Sequence, residues 1–341
     1  MQLSARIASL ELAETFTIAR GSQDTAEVVE VELRHEGMSG FGEAAPIDTY
    51  GESAQSALAY IEAVGEELGE DPFALEDVMQ RLPAEQFAAR SAIDAALHDL
   101  CGKLVGEPAW RLLGLERLGP PTSWTIGLAD PDEMARKAER AVATGRFKRL
   151  KLKIGGRDGL DVERVRAVEV VSDVPLQVDV NEYWTLDEAL DALPQLHDLG
   201  VEYCEQPLRR GDEDGVKLVG ASPIPIYVDE DCHTLADVAA CARVAHGINI
   251  KLAKSGGIRE AVRMAHAARA LGLSVMLGCM IESGLGIAAG AAIASLCDFV
   301  DLDGNLLIAH DPWPGVELVD GIQTPSEEPG LGVRQAVPST R

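Results

Sequence analysis

Eight short apolar runs, spaced 21 to 27 residues apart, constrain this 341-residue chain more than any other feature. They begin at Ser123, Arg149, Leu176, Val201, Ile226, Gly247, Ser274 and Phe299. Runs this short and this apolar read as strands buried on both faces. Between them lie amphipathic stretches, among them 131–144, 160–171, 185–199, 234–245 and 257–271, with apolar residues at helical spacing. Strand then helix, repeated until eight strands are laid down, specifies a closed parallel barrel. After the eighth run the helical period stops, and residues 305–341 carry Pro and Gly without it. The expected fold is therefore α/β, a (β/α)7β TIM-like barrel.

The segment before the barrel reads differently. Residues 26–33 alternate apolar and polar side chains, as a half-buried strand should, with 7–12 as its partner. Gly37, Gly40 and Gly42 punctuate the turn that follows. Helical periodicity then covers 53–68 and 84–104. Strands first and helices later indicate an α+β unit. The expected organisation is a capping domain over 1–118, the barrel over 119–310, and a tail over 311–341 that returns to the cap.

Aromatic residues make up only 4% of the chain, so the core must be aliphatic and rich in alanine. A net charge of −26 excludes nucleic acid and anionic membrane as partners. No run of about 18 apolar residues occurs, so no membrane span is expected. The first residues lack a charged stretch followed by an apolar one, the pattern of a secretory signal. Six cysteines are scattered in apolar contexts without a CxxC pair, which suits reduced thiols in a cytoplasmic protein. A homo-oligomer is compatible with all of this.

In such a barrel the chemistry sits at the C-terminal ends of the strands. Strand two ends in Lys151 and Lys153, strand three in Asp179 and Asn181, and strand four in Glu205. Strand five carries Asp229, Glu230 and Asp231, strand six Lys251 with Lys254 beyond, and strand eight Asp301 and Asp303. Side chains two apart on a strand share a face, so Lys151/Lys153, Asp179/Asn181, Asp229/Asp231 and Asp301/Asp303 each point one way. Any one acid alone could cap a helix or form an ion pair. Asp179, Glu205 and Asp229 on three consecutive strands instead make an all-oxygen ligand set, which points to Mg²⁺ rather than zinc. Strands two and six are opposed in an eight-stranded barrel, so Lys153 and Lys251 are expected to face each other across that site. Nearby positive charge from Lys151, Lys254 and the metal would lower their pKa. A proton α to a carboxylate could leave toward one lysine and return from the other, which is racemisation or epimerisation.

These motifs resemble the muconate-lactonizing subgroup of the enolase superfamily over nearly the whole chain. Lys151-Leu152-Lys153 looks like its K-x-K, and Lys251 in Asn249-Ile250-Lys251 like its second base. Asp179, Glu205 in Glu205-Gln206-Pro207, and Asp229 look like its three metal ligands. Within the subgroup the likeness is to dipeptide epimerases, particularly those acting on L-Ala-D/L-Glu. It rests on Phe16 to Ser22, Gly42 to Pro46, Tyr50 to Ser53, Gly278-Cys279-Met280 and Asp301-Leu302-Asp303. The resemblance implies that Asp301 and Asp303 bind the dipeptide's ammonium and that Arg20 meets a side-chain carboxylate. It also implies specificity loops near residues 16–24 and 46–53, with Lys151 and Lys254 close to substrate. Two departures stand out: Val228-Asp229-Glu230-Asp231 where Ala-Asp-Glu-Ser is common, and Asp179-Val180-Asn181 where Asp-Ala-Asn is usual. An o-succinylbenzoate synthase or muconate cycloisomerase reaction on the same scaffold is the alternative, as is a barrel that only binds ligand.

Gly284-Leu285-Gly286 imitates a dinucleotide fingerprint but falls in the seventh repeat, where close helix packing explains it as well. Gly256-Gly257 opens a helix that could hold an anion. His233 follows the strand-five acids without an assigned role.

Overall fold

The computed structural model describes residues 1–336; residues 337–341, the end of the expected tail, lie outside them. An antiparallel sheet opens the chain: β1 (Gln2–Ile18), β2 (Gly21–His35) and β3 (Met38–Ala44), in the order β1-β2-β3. Helices α1 (Ala54–Ala63), α2 (Leu75–Arg81), α3 (Phe87–Val105) and α4 (Ala109–Leu112) follow. Ser53 caps α1 reciprocally with Ser56. The glycines at 40 and 42 do not sit in the turn expected of them. They lie within β3, and α3 packs so closely there that a Cβ on either would strike the carbonyl of Ala96 or Ala92. The missing side chains that hid this strand from its sequence are what let the helix approach.

The barrel then alternates as expected. It runs β4 (Trp124–Ile126), α5 (Pro131–Ala143), β5 (Leu150–Lys153), α6 (Asp161–Glu169), β6 (Leu176–Asp179), α7 (Leu186–Asp198) and β7 (Val201–Glu205). Next come α8 (Gly215–Ala221), β8 (Ile226–Val228), α9 (Val238–Cys241), β9 (Gly247–Lys251), α10 (Leu252–Ser255), α11 (Ile258–Ala270), β10 (Ser274–Gly278), α12 (Gly284–Ala291) and β11 (Phe299–Asp301). The eight strands β4 to β11 are hydrogen-bonded in sequence order, and the Thr122–Val300 bridge closes the ring. Pro131 starts α5 at a position where its missing N–H costs nothing, and Thr185 caps α7 in a box with Glu188. The helix expected over 234–245 shrinks to a single turn, α9, after a 3₁₀ turn at Leu235–Asp237. Its last residues bond three apart rather than four, turning the chain toward β9.

Residues facing the barrel axis form layers. Tyr203, Tyr227 and Met276 fill the floor, with Phe299 against them. One step nearer the mouth stand Lys153, Asp179, Glu205, Lys251 and Asp301. The tail forms a hairpin, β12 (Glu317–Val319) with β13 (Ile322–Thr324), and continues to the cap. There Asp99 of α3 accepts from Leu331 N (2.8 Å) and Phe41 N (2.8 Å), and Trp313 Nε1 donates to Glu30 (2.8 Å). One buried carboxylate thus ties the tail, β3 and α3 together. Among the described residues no helix is long and apolar enough to cross a membrane.

Candidate active site

A cavity of about 650 Å³ opens where the cap meets the C-terminal ends of the barrel strands. Its floor carries Lys151, Lys153, Asp229, Lys251, Asp301 and Asp303, and its roof includes Phe16, Arg20 and Tyr50. Parallel register sets the floor: Lys153 lies opposite Asp179, Asp179 opposite Glu205, and Lys251 opposite Gly278 opposite Asp301. Lys153 on β5 and Lys251 on β9 stand four strands apart, on opposing walls. Gly278 is required between them, since a Cβ there would come within 2.7 Å of Asn249 Oδ1 and 3.1 Å of Lys251 Cε.

The carboxylates and ammonium groups interlock. Lys153 Nζ donates to Asp179 Oδ2 at 2.6 Å, and Lys251 Nζ to Asp229 Oδ2 at 2.8 Å. Lys151 Nζ lies 2.7 Å from Glu205 Oε2, 2.7 Å from Asp301 Oδ2 and 3.4 Å from Asp179 Oδ2. Asn249 Nδ2 donates to Glu205 Oε1 at 2.8 Å, and Gln206 Oε1 accepts from Asp229 N at 2.9 Å. Neither role was assigned from sequence. Asn249 was legible in principle, since it stands two residues before Lys251 on the same strand face.

Burial disfavours the charged carboxylate of Asp179, but Lys153 and Lys151 outweigh it and hold the group near 2. Asp229 is likewise held well below the carboxylate range, with Lys251 and Lys254 overcoming burial. The lowering expected of Lys251 is reversed here. Burial pulls Lys251 down, yet Asp229 and Glu205 pull it up harder; Lys151 is raised in the same way, by Asp301, Glu205 and Asp179.

Three expectations need correction. Lys254 does not line the cavity: its ammonium is fully buried behind Asp229, donating to Asp229 O (2.5 Å), Asp229 Oδ1 (2.6 Å) and Asn249 O (2.9 Å). With those donors spent inside the wall it positions Asp229 and has none left for substrate. Asp231 does not share the mouth with Asp229, because β8 ends at Val228 and the chain turns; it accepts from Gln206 Nε2 (2.8 Å) and Gly211 N (2.7 Å). Asn181 follows β6 with φ at +50°, so the strand alternation that paired it with Asp179 no longer applies. Asn181 still lines the cavity, and its backbone N–H donates to Asp179 Oδ1 at 2.9 Å.

Arg20 reaches over the mouth from the β1–β2 turn. Its guanidinium is already shared by Glu230 Oε1 (2.7 Å) and Glu182 Oε2 (2.9 Å). Tyr50 comes down from the other specificity loop and stacks on His233, ring centroids 4.8 Å apart. Burial, then Lys254 and Arg210, lower His233 to about 4, so it is a neutral platform at ordinary pH.

Asp301 and Asp303 differ in a way their spacing does not reveal. Thr125 Oγ1 donates to Asp301 (3.3 Å) and Thr125 N to Asp303 Oδ2 (2.6 Å). Asp301 is neutralised by Lys151. Asp303 makes no ion pair among the described residues, and burial together with the Asp301 charge lifts it to about 7.

The donor set fits a hard divalent cation. Asn181 Oδ1 and Glu230 Oε2 are buried oxygens without a hydrogen-bond donor, and Glu205 Oε2 meets only the Lys151 ammonium, 2.7 Å away. Among the described residues no three acidic, His or Cys side chains converge on one point. Lys151, Lys153 and Lys251 sit against Glu205, Asp179 and Asp229 as their counter-charges instead.

Two glycine motifs find structural explanations. A Cβ at Gly286 would crowd the buried Glu43 and Glu282, so α12 needs its glycine for packing. The anion at the start of α11 is the chain's own Asp94, packed against Gly257 and accepting from Arg259 N at 3.3 Å.

A parallel barrel with lysines facing each other above strand-end carboxylates, roofed by an α+β unit, defines an enolase-type protein. The chain belongs to the enolase superfamily, in its mandelate racemase/muconate lactonizing enzyme family. The profile described as mandelate racemase / muconate lactonizing enzyme, N-terminal domain, matches residues 4–114. The profile described as enolase C-terminal domain-like matches residues 133–336. The chain is 41% identical over 330 residues to an L-Ala-D/L-Glu epimerase of Bacteroides thetaiotaomicron, covering 95% of this chain and 85% of that protein. It is 36% identical to a hydrophobic dipeptide epimerase of a Flavobacteria bacterium, covering 92% and 93%. A crystal structure of the dipeptide epimerase from Enterococcus faecalis with Mg and L-Leu-L-Tyr superposes with a TM-score of 0.93, at 34% identity, over 97% of this chain and 98% of that one.

Proposed function

We propose that this protein is a Mg²⁺-dependent dipeptide epimerase, an isomerase that inverts the α-carbon of the C-terminal residue, with L-Ala-D/L-Glu-type substrates favoured. The observation that carries this is Asp303, a buried carboxylate at the mouth without an ion-pair partner among the described residues. A substrate ammonium supplies that partner. Cycloisomerisation of a substrate without an ammonium would leave it unmatched.

In this reading Asp179, Glu205 and Asp229 hold the Mg²⁺. Its charge offsets the negative charge that develops on the substrate carboxylate as the α-proton leaves. Lys153 and Lys251, on opposite walls, take the proton from one face of the α-carbon and return one to the other. Each must be neutral to accept a proton. The upward pull of the carboxylates on Lys251 weakens once those carboxylates serve another cation. Lys151 bridges Asp301 and Glu205 and lessens the repulsion between them, and Lys254 fixes Asp229 from behind. Arg20, at the roof, meets a side-chain carboxylate by sharing its guanidinium with Glu182 and Glu230. A cytoplasmic location accords with six free cysteines.

The test is a library of L,L-dipeptides incubated with enzyme and Mg²⁺ in D₂O and read by mass. Gain of one deuteron on dipeptides, with formation of the epimer, is the expected result. Exchange on simple carboxylates but on no dipeptide would overturn the reading.

A further inference from the structure

We propose that a second cavity, between the bulged part of β1 and the first barrel strand, receives the side chain of the dipeptide's first residue and selects an aliphatic or aromatic group there. This inference rests on the dipeptide reading above, keeps its acidic second residue, and replaces alanine with a larger apolar side chain as the preferred first residue.

The cavity measures about 190 Å³ and is separate from the main one, yet Phe16, Thr125 and Leu307 line both. Its origin is a defect in a strand. The β1–β2 ladder runs in register from Gln2 to Glu11 and resumes at Phe16, so residues 12–15 leave the pairing. They turn instead to the segment after β11: Leu12 bridges Ile308, and Ala13 N donates to Leu307 O at 2.9 Å. The bulge thereby stands off from Trp124 and leaves space whose lining is mainly apolar: Ala13, Phe16, Trp124, Leu306 and Leu307. The one cation on its rim, Lys137, is engaged by Glu14 (3.3 Å) and Glu133 (3.5 Å), so no unpaired cation faces the space.

Position assigns the occupant. Thr125 holds Asp301 and Asp303 through its hydroxyl and its backbone N–H, and Thr125 is also a wall shared by the two cavities. An ammonium seated on those acids puts the first residue's α-carbon at the junction. The peptide's C-terminal half must run into the large cavity, where Lys153 and Lys251 stand. The first side chain is then the substituent next to the apolar space, which a methyl group would leave mostly empty.

The experiment measures kcat/KM for epimerisation of X-L-Glu, with X being Gly, L-Ala, L-Leu or L-Phe, for the Mg²⁺-loaded enzyme and two variants. Wild type is expected to turn over L-Leu-L-Glu at least as well as L-Ala-L-Glu. Ala13→Trp, which fills the space, is expected to lower the Leu-to-Ala ratio about tenfold or more, the worth of burying leucine's extra carbons. Leu306→Ala, which widens it, is expected to raise the Phe-to-Leu ratio. Turnover of L-Ala-L-Glu with rejection of L-Leu-L-Glu by wild type would overturn the inference and leave the dipeptide reading standing. Unchanged ratios in the variants would do the same. Turnover of none of the dipeptides would overturn both, and Leu306→Ala with the wild-type series decides the matter if Ala13→Trp does not fold.

Discussion

Replacing Asp303 with asparagine tests the ammonium seat. The substitution keeps the shape and leaves an oxygen to accept from Thr125 N, now at 2.6 Å. It removes the capacity to carry a negative charge from a side chain that is 3% exposed and has no ion-pair partner among the described residues. A buried charge-assisted hydrogen bond is worth about 1.5–3 kcal/mol, so kcat/KM for L-Ala-L-Glu should fall by about 10- to 150-fold. The control is propionyl-L-Glu, the same molecule without its amino group. Wild type should strongly prefer the dipeptide, and D303N should lose most of that preference by treating both alike. Stability should not suffer. Burial and the Asp301 charge already raise the Asp303 carboxyl to about 7, so the fold favours its neutral form. Above pH 7 the neutral amide should melt no lower than wild type. The assay is epimer formation followed by chiral chromatography, beside thermal melts. An equal loss on both substrates, or a wild type indifferent to the amino group, would refute the assignment.

Three further outcomes follow from the geometry. Lys153→Ala and Lys251→Ala should each abolish epimerisation, while each can still exchange the α-proton of the one epimer facing its remaining lysine; full epimerase activity in either, measured in D₂O, would end the two-base scheme. Gly278→Ala should lower kcat about 100-fold, the scale of a small misplacement of a reacting group, because the new methyl displaces Lys251, with an unchanged circular dichroism spectrum. The third outcome concerns pH. Burial, countered in part by the Ser283 hydrogen bond and aided by Glu282, lifts Glu43 from 4.5 to about 8, and burial lifts Glu282 to about 7. A raised carboxyl binds protons more tightly in the folded state, so its stability contribution is complete below the ordinary carboxyl range and drains away as pH rises to about 8. Melting temperature should therefore decline from about pH 5 to 8, less steeply in Glu43→Gln; parallel curves for the two proteins would contradict this.

Much was readable from sequence because strand periodicity is rigid. Side chains two apart must share a face, and eight evenly spaced apolar runs have few other solutions. Hence the barrel, the opposed positions of Lys153 and Lys251, and the row from Asp179 to Asp229 could be stated before any coordinates. What periodicity cannot supply is where a strand ends. Past β6 and β8 the backbone leaves the extended region, so Asn181 and Asp231 lost the faces assigned to them. Nor does it say which way a charge just past a strand will point: Lys254 was expected close to substrate, but one buried turn of α10 puts it behind Asp229.

β3 was missed because its glycines, chosen for contact with α3, carry none of the alternation that reveals a strand. Arg20's two carboxylate partners and the division of labour between Asp301 and Asp303 depend on residues more than a hundred positions away, Lys151 above all. The chain by itself determined which chemical groups it carries and at what periodic positions, because covalent geometry fixes those locally. Only the folded molecule decided which charges are matched, which are left wanting a partner, and where space remains. Those properties depend on distances between segments that local geometry does not set.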